Sequence, residues 1–259
     1  MIFERMLAGL VGSIPNEARS EWRRRIARLK RPAWLGTLRR TAPLSAEWGY
    51  DRGTPIDRYY IERFLDEHRA DIHGRVLEVR DRTYTHRFGE NVTDSQVLDL
   101  NRGNPRATII ADLTHAPAIP SDSFDCLVIT QTLQFIYDTR AAVAEAYRIL
   151  RPGAVLLVTV PAISRIAPRY GLKMDQWRFT PASCAALFGD VFGRGQVTVR
   201  GYGNVLAAIS FLSGLAKEEL KQSELDVNDE YFPLIVGVRA VKAETGELPH
   251  EQAPARRTV

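Results

Sequence analysis

Apolar residues fall in short continuous runs between residues 76 and 161. They occupy 76–79, 97–100, 107–110, 124–130 and 155–160, and each run ends at a polar or acidic residue followed by a loop or a helical stretch. Runs this short and this apolar predict strands buried on both faces, and their alternation with helical segments predicts a parallel, doubly wound α/β sheet. Before them, Tyr60, Phe64 and Leu65 recur at helical spacing and predict a helix over 58–70 with Asp57 as its N-cap. After them, 141–150 reads as a helix stopped by Arg151-Pro152-Gly153. Residues 162–180 read as an irregular excursion, 181–188 as a helix, 196–202 as a strand, 204–220 as a mostly apolar helix and 234–241 as a last strand.

Ligands of such sheets bind in the crevice outside the carboxyl ends of the strands. Glu78, Asp99 and Asp112 fall at or just past three successive strand ends, a pattern suited to a nucleoside-containing ligand. The loop after the first strand, Arg80-Asp81-Arg82-Thr83-Tyr84-Thr85, is placed for the closest backbone approach to that ligand.

Composition narrows the class. The 259 residues are 45% hydrophobic and 25% charged, within the range of an ordinary globular chain able to bury a core without staples. Two cysteines, Cys126 and Cys184, are too few for a disulfide framework and lack metal-ligand spacing; Cys126 reads as a small buried hydrophobe in a reducing, cytoplasmic setting. No apolar run has the ~20 residues of a membrane span, and the N-terminus does not read as a signal peptide.

The net charge of +4 is concentrated near the start of the chain. Arg19, Arg23, Arg24, Arg25, Arg28, Lys30, Arg31, Arg39 and Arg40 stand against Glu21, with Trp22, Ile26 and Leu29 at helical spacing beneath them. Such a segment is compatible with a solvated helix packed on the domain and with peripheral contact to an anionic membrane. No aromatic and basic interleaving of a nucleic-acid reader accompanies it, so no nucleic-acid partner is expected. The expected organisation is a basic extension over 1–45, a main domain over 46–243 and a disordered polar tail over 244–259. The sequence leaves the oligomeric state open.

Within 76–161 the order of short motifs resembles the class I S-adenosylmethionine-dependent methyltransferases that act on small molecules, in particular bacterial members of the type 11 group. The residues carrying the likeness are Val-Leu-Glu-Val (76–79), Asp99, Ala-Asp-Leu (111–113), Phe-Asp-Cys-Leu-Val-Ile-Thr-Gln-Thr-Leu-Gln (124–134) and Ile-Leu-Arg-Pro-Gly-Ala-Val-Leu-Leu-Val-Thr-Val-Pro (149–161). Asp-Gln-Trp-Arg-Phe-Thr-Pro (175–181) is similar to a segment that follows the fifth strand in bacterial members.

The resemblance implies a mostly parallel seven-stranded sheet with its final strand inserted antiparallel, and S-adenosylmethionine as cofactor. It places Glu78 and Val79 near the cofactor's methionine end, Asp99 and Leu100 at the ribose, Asp112 and Leu113 at adenine, and Gln131 beside the methionine moiety. Asp81 and Tyr84 would complete that site from the loop after the first strand.

Two departures stand out. The family's Gly-x-Gly-x-Gly loop is replaced by a stretch without glycine, at the position where glycine's freedom allows close backbone approach. Phe135 stands where many relatives carry histidine after the fourth strand.

Methyl transfer to a hydroxyl needs an aligned in-line approach and a proton sink. Asp175 is the candidate base, and Tyr60, Arg58, Tyr170, Trp177 and Arg178 are candidate contacts for a small polar acceptor, such as a sugar or secondary metabolite. The competing reading is a non-catalytic relative whose altered loop excludes cofactor and which acts through a partner or a membrane surface. A dinucleotide enzyme of the same fold type lacks its Gly-x-Gly-x-x-Gly fingerprint here.

Overall fold

The computed structural model describes residues 39–168 and 171–244, with Trp22, Ile26 and Gly36. The chain divides into two compact units, Met1–Ala42 and Pro43–Val259. In the first, Trp22 and Ile26 are helical and Trp22 is exposed. Arg39 and Arg40 are exposed, while the other residues of 1–38 and the tail beyond Glu244 lie outside the described residues.

The second unit opens with helix α1 (Ile56–Glu67) and strand β1 (Gly74–Val79). A short helix α2 (Thr83–Phe88) leads to β2 (Val92–Asp99) and the two-residue β3 (Ile109–Ile110). Next come β4 (Phe124–Thr130), α3 (Thr139–Ile149) and β5 (Leu150–Pro161). Then α4 (Pro181–Phe192), β6 (Val197–Tyr202), α5 (Val205–Ser213), α6 (Gln222–Leu225) and β7 (Ile235–Val241) complete it. The strands form one sheet in the order β3-β2-β1-β4-β5-β7-β6. β7 runs antiparallel to both neighbours, and the other pairings are parallel. This is the doubly wound, Rossmann-like sheet with an inserted antiparallel strand.

The apolar runs make central strands because both their faces are covered. Leu127 and Ile129 of β4 point into one core with Leu156 and Val158 of β5 and Ala142, Val143, Ala146 and Phe188 of α3 and α4. Cys126 and Val128 point the other way, against Leu157, Tyr60, Phe64 and Phe211 from β5, α1 and α5. Each such side chain contributes ~1.5–3 kcal/mol on leaving water, so a one-residue slip of a central strand is heavily disfavoured.

Helix ends follow local chemistry. Asp138 accepts from Ala141 N–H at 2.9 Å to start α3, and Thr180 with Ser183 forms a capping box ahead of Pro181 at the start of α4.

Several boundaries differ from the sequence reading. The first helix begins at Ile56 rather than after Asp57, so Asp57 lies inside the first turn and makes no cap. The helix expected over 204–220 stops at Ser213, because Gly214 takes the left-handed conformation (φ 79°) that ends a helix. Arg151-Pro152-Gly153 is the irregular start of β5, where Gly153 sits at φ 78° and the register with β4 shifts.

Candidate functional site

The carboxyl ends of β1, β4 and β5 open onto a cleft of about 700 Å³. Arg80 and Gln131 line it from the strand ends, Asp57 and Arg58 from α1, Trp48 from the preceding loop, and Arg165, Asp175 and Arg178 from the excursion after β5.

The turn after β1 keeps a glycine-like shape without a glycine. Arg80 adopts φ 79°, a left-handed conformation costing ~1–2 kcal/mol for an L-residue. Two hydrogen bonds hold it: Arg80 N–H donates to the Leu98 carbonyl at 2.8 Å, and Asn104 Nδ2 donates to the Arg80 carbonyl at 2.7 Å. Gln131, at the mouth of β4, is likewise left-handed at φ 47°.

Glu78 is buried just behind this turn. Its carboxylate accepts from Tyr84 N–H at 3.1 Å, Thr85 N–H at 2.8 Å and Thr85 Oγ1 at 2.7 Å. These bonds tie down the first turn of α2, which explains why a β-prone Thr-Tyr-Thr segment becomes helical. Burial pushes the Glu78 carboxyl up to about 7, while its hydrogen bonds to Thr85 and Tyr84 pull the other way. Asp81 accepts from Thr83 N–H at 2.9 Å, and Val79 is half-buried at the end of β1.

Asp99 sits at the end of β2, accepting from Asn101 N–H at 2.9 Å and Asn104 Nδ2 at 2.6 Å. Asn104 therefore bridges the two strand mouths. Leu100 is 69% exposed beside it. Asp112 accepts from Thr114 N–H and Oγ1, both at 2.8 Å, and Leu113 is buried in the core.

The buried Asp57 lies beside the half-buried Arg58, with Arg58 Nε 3.9 Å from Asp57 Oδ1. Neither of those two atoms has a hydrogen-bond partner. Burial raises the Asp57 carboxyl against the pull of Arg58. Burial also works against the Arg58 charge, but Asp57 and Tyr84 outweigh it and the guanidinium is held ionised. Arg58 Nη1 donates to Tyr84 Oη at 3.0 Å. Gln131 Nε2 and Gln134 Oε1 are also buried and unpartnered, and both residues line the cleft. Orphaned buried polar atoms of this kind cost ~1–3 kcal/mol each, and all four residues line the one cleft.

The remaining expected acceptor contacts are divided. Tyr60 is fully buried in the α1 core, donating to the Leu225 carbonyl at 3.0 Å, away from the cleft. Trp177 is partly exposed, donates to the Ile136 carbonyl at 3.0 Å and does not line the cleft. Asp175 reaches the cleft wall but is engaged by Arg178 through both oxygens, at 2.5 and 3.0 Å, and accepts from Ala167 N–H at 2.9 Å. Against the upward push of burial, those bonds hold its carboxyl below the usual range. Tyr170 lies outside the described residues.

The cleft also contains Trp48, Arg165, Gln134 and the Asp57 carboxylate, none of which the sequence pattern singled out as site residues. A capping role for Asp57 hid its cleft position. Arg165 had no local signal, since its partner Trp48 is far away in the chain.

A doubly wound sheet with β7 reversed and a polar cleft at the β1–β4 mouths defines a methyltransferase-type fold. Residues 74–158, from β1 into β5, match a family model described as a methyltransferase domain. No curated protein is similar in sequence. Solved structures similar to this chain include an S-adenosylmethionine-dependent methyltransferase from Archaeoglobus fulgidus, at 14% identity over 71% of this chain and 94% of that one, with a TM-score of 0.49. Another comes from Mesorhizobium loti, at 15% identity over 75% of this chain and 100% of that one, with a TM-score of 0.46.

Proposed function

We propose that the cleft binds S-adenosylmethionine and that the protein transfers its methyl group to the hydroxyl of a small polar acceptor. The observation that carries this reading is the set of unpartnered buried polar atoms at the β1–β4 mouths: Asp57 Oδ1, Arg58 Nε, Gln131 Nε2 and Gln134 Oε1. Together they offer donors and acceptors of both charges, which suits the zwitterionic amino-acid end of the cofactor. Arg58 would hold its carboxylate and Asp57 its ammonium. Asp99 would accept from the ribose hydroxyls, sharing its carboxylate with Asn104. Leu100, exposed beside Asp99, would flank adenine, with Asp112 at its edge, whereas Leu113 packs in the core.

The missing glycines are compatible with this reading, because Arg80 itself takes the left-handed turn. Bound there, S-adenosylmethionine supplies an electrophilic methyl group on a sulfonium. The chain's part is to fix the acceptor in line with that group, since positioning accounts for much of the rate in displacements of this kind. The engagement of Asp175 with Arg178 gives it the role of pinning the loop at the acceptor side.

The test is equilibrium dialysis of labelled S-adenosylmethionine against the wild type and Asp99→Ala. Binding weakened by at least about tenfold in the variant supports the assignment, a loss in keeping with a hydrogen bond to a charged group. Equal binding removes Asp99 from the site. No binding by the folded wild type favours the non-catalytic reading.

A further inference from the structure

We infer that the acceptor is an anion, and that Arg165 stacked on Trp48 is the subsite for its carboxylate or phosphate group. This deepens the proposed methyl transfer and rests on it for the word acceptor; the anion site itself stands on separate observations.

The Arg165 guanidinium lies 4.5 Å from the Trp48 ring centroid. One of its N–H groups is used, in a bond to the Ala46 carbonyl. Among the described residues no carboxylate pairs with it. The other charges of the cleft largely cancel: Asp57 faces Arg58, and Asp175 is paired with Arg178. Arg80 and Glu47, both exposed, offset each other at the rim. The charge left over in the lining is that of Arg165, held over an aromatic ring.

Both halves of this platform are fixed in advance. Arg178 donates to the carbonyls of Ser164 at 3.3 Å and Arg165 at 2.8 Å, and Asp175 accepts from Ala167 N–H at 2.9 Å. The pair thus clamps the backbone on either side of the Arg165 side chain. Trp48 sits at φ 54°, a conformation rare for a bulky residue. Ser45 Oγ maintains it by accepting from Glu47 N–H and Gly49 N–H, both at 3.0 Å. Strain held in place by dedicated hydrogen bonds is characteristic of a ligand clamp.

A guanidinium offers parallel N–H donors that match the oxygens of a carboxylate or phosphate.

The test titrates the protein with benzoate, inorganic phosphate and benzyl alcohol, in the absence and presence of saturating S-adenosylhomocysteine. The readout is the indole N–H resonance of Trp48, assigned with Trp48→Phe. Saturable shifts are expected with at least one anion and not with benzyl alcohol. Arg165→Gln should weaken that anion by about tenfold. Arg165→Lys, which keeps charge and loses the fork, should lie between the two. Arg106→Gln, on an exposed turn outside the cleft, should match the wild type and so reports general charge attraction.

Equal anion affinity in wild type and Arg165→Gln, or no saturation by either anion, overturns the proposal. So does equally tight binding of benzyl alcohol. Failure of S-adenosylhomocysteine to bind while the anion site behaves as expected would instead count against the methyltransferase reading alone.

Discussion

Replacing Glu78 by Gln probes the turn beside the proposed cofactor cleft. The carboxylate serves three donors at once, Tyr84 N–H, Thr85 N–H and Thr85 Oγ1. A carboxamide of the same shape keeps one oxygen and turns an NH₂ group toward an N–H donor. A buried donor left without a partner costs ~1–3 kcal/mol, and Glu78→Gln should lower stability by that amount under mildly acidic conditions, where folded Glu78 is the neutral acid, both of whose oxygens still accept while a carboxamide nitrogen does not. The loss should shrink as pH rises. Glu78 titrates near 4.5 in the unfolded chain, whereas burial pushes it up to about 7 in the folded protein. The folded state therefore holds the proton more tightly. That contribution is complete below pH 4.5, is lost as pH rises to about 7 and stays lost above it.

The full shift corresponds to about 3 kcal/mol at ~1.4 kcal/mol per unit, the net of burial against the hydrogen bonds that favour the charged form. The assay is urea denaturation of wild type and variant between pH 5 and pH 8, compared at equal m-value. A difference between the two proteins that grows with pH would show that the hydrogen bonds dominate and would refute the reasoning from burial.

Three further outcomes follow from the site. Arg80→Gly should leave stability within ~1 kcal/mol of wild type or raise it, because relief of the left-handed strain offsets the added chain entropy; chemical denaturation checks this. Asp175→Asn should lower stability by ~1–3 kcal/mol at neutral pH by loosening the Arg178 clamp. The difference should fade on acidification through the depressed native pKa, since the contribution of Asp175 is present above its unfolded value and is lost below its folded one. Arg58→Met should weaken S-adenosylhomocysteine by at least about tenfold while leaving 5′-methylthioadenosine, which lacks the amino-acid end, nearly unchanged in competition binding.

The strands of the central sheet were legible in the sequence because burial on both faces leaves near-continuous apolar runs, as at Phe124–Thr130 and through β5. The start of α3 was legible within two residues. The extent of α5 was not, since the apolar pattern continues past Ser213 while the backbone turns at Gly214. Helix α2 was missed for a tertiary reason: its weak helix formers are organised by the Glu78 carboxylate from the preceding strand. The strand ends point to the loop that opens at Arg80 and to Gln131, and both residues line the cleft. It was not legible at Trp48, Asp57 and Arg165, whose roles depend on contacts between distant segments or on a helix boundary shifted by two residues.

The central claim is that a glycine-free turn at β1 still closes a cofactor cleft, and calorimetric titration of the wild-type protein with S-adenosylhomocysteine tests it most directly. One-site binding in the micromolar range, about −8 kcal/mol, is the expected result. A folded protein that takes up no S-adenosylhomocysteine would contradict it.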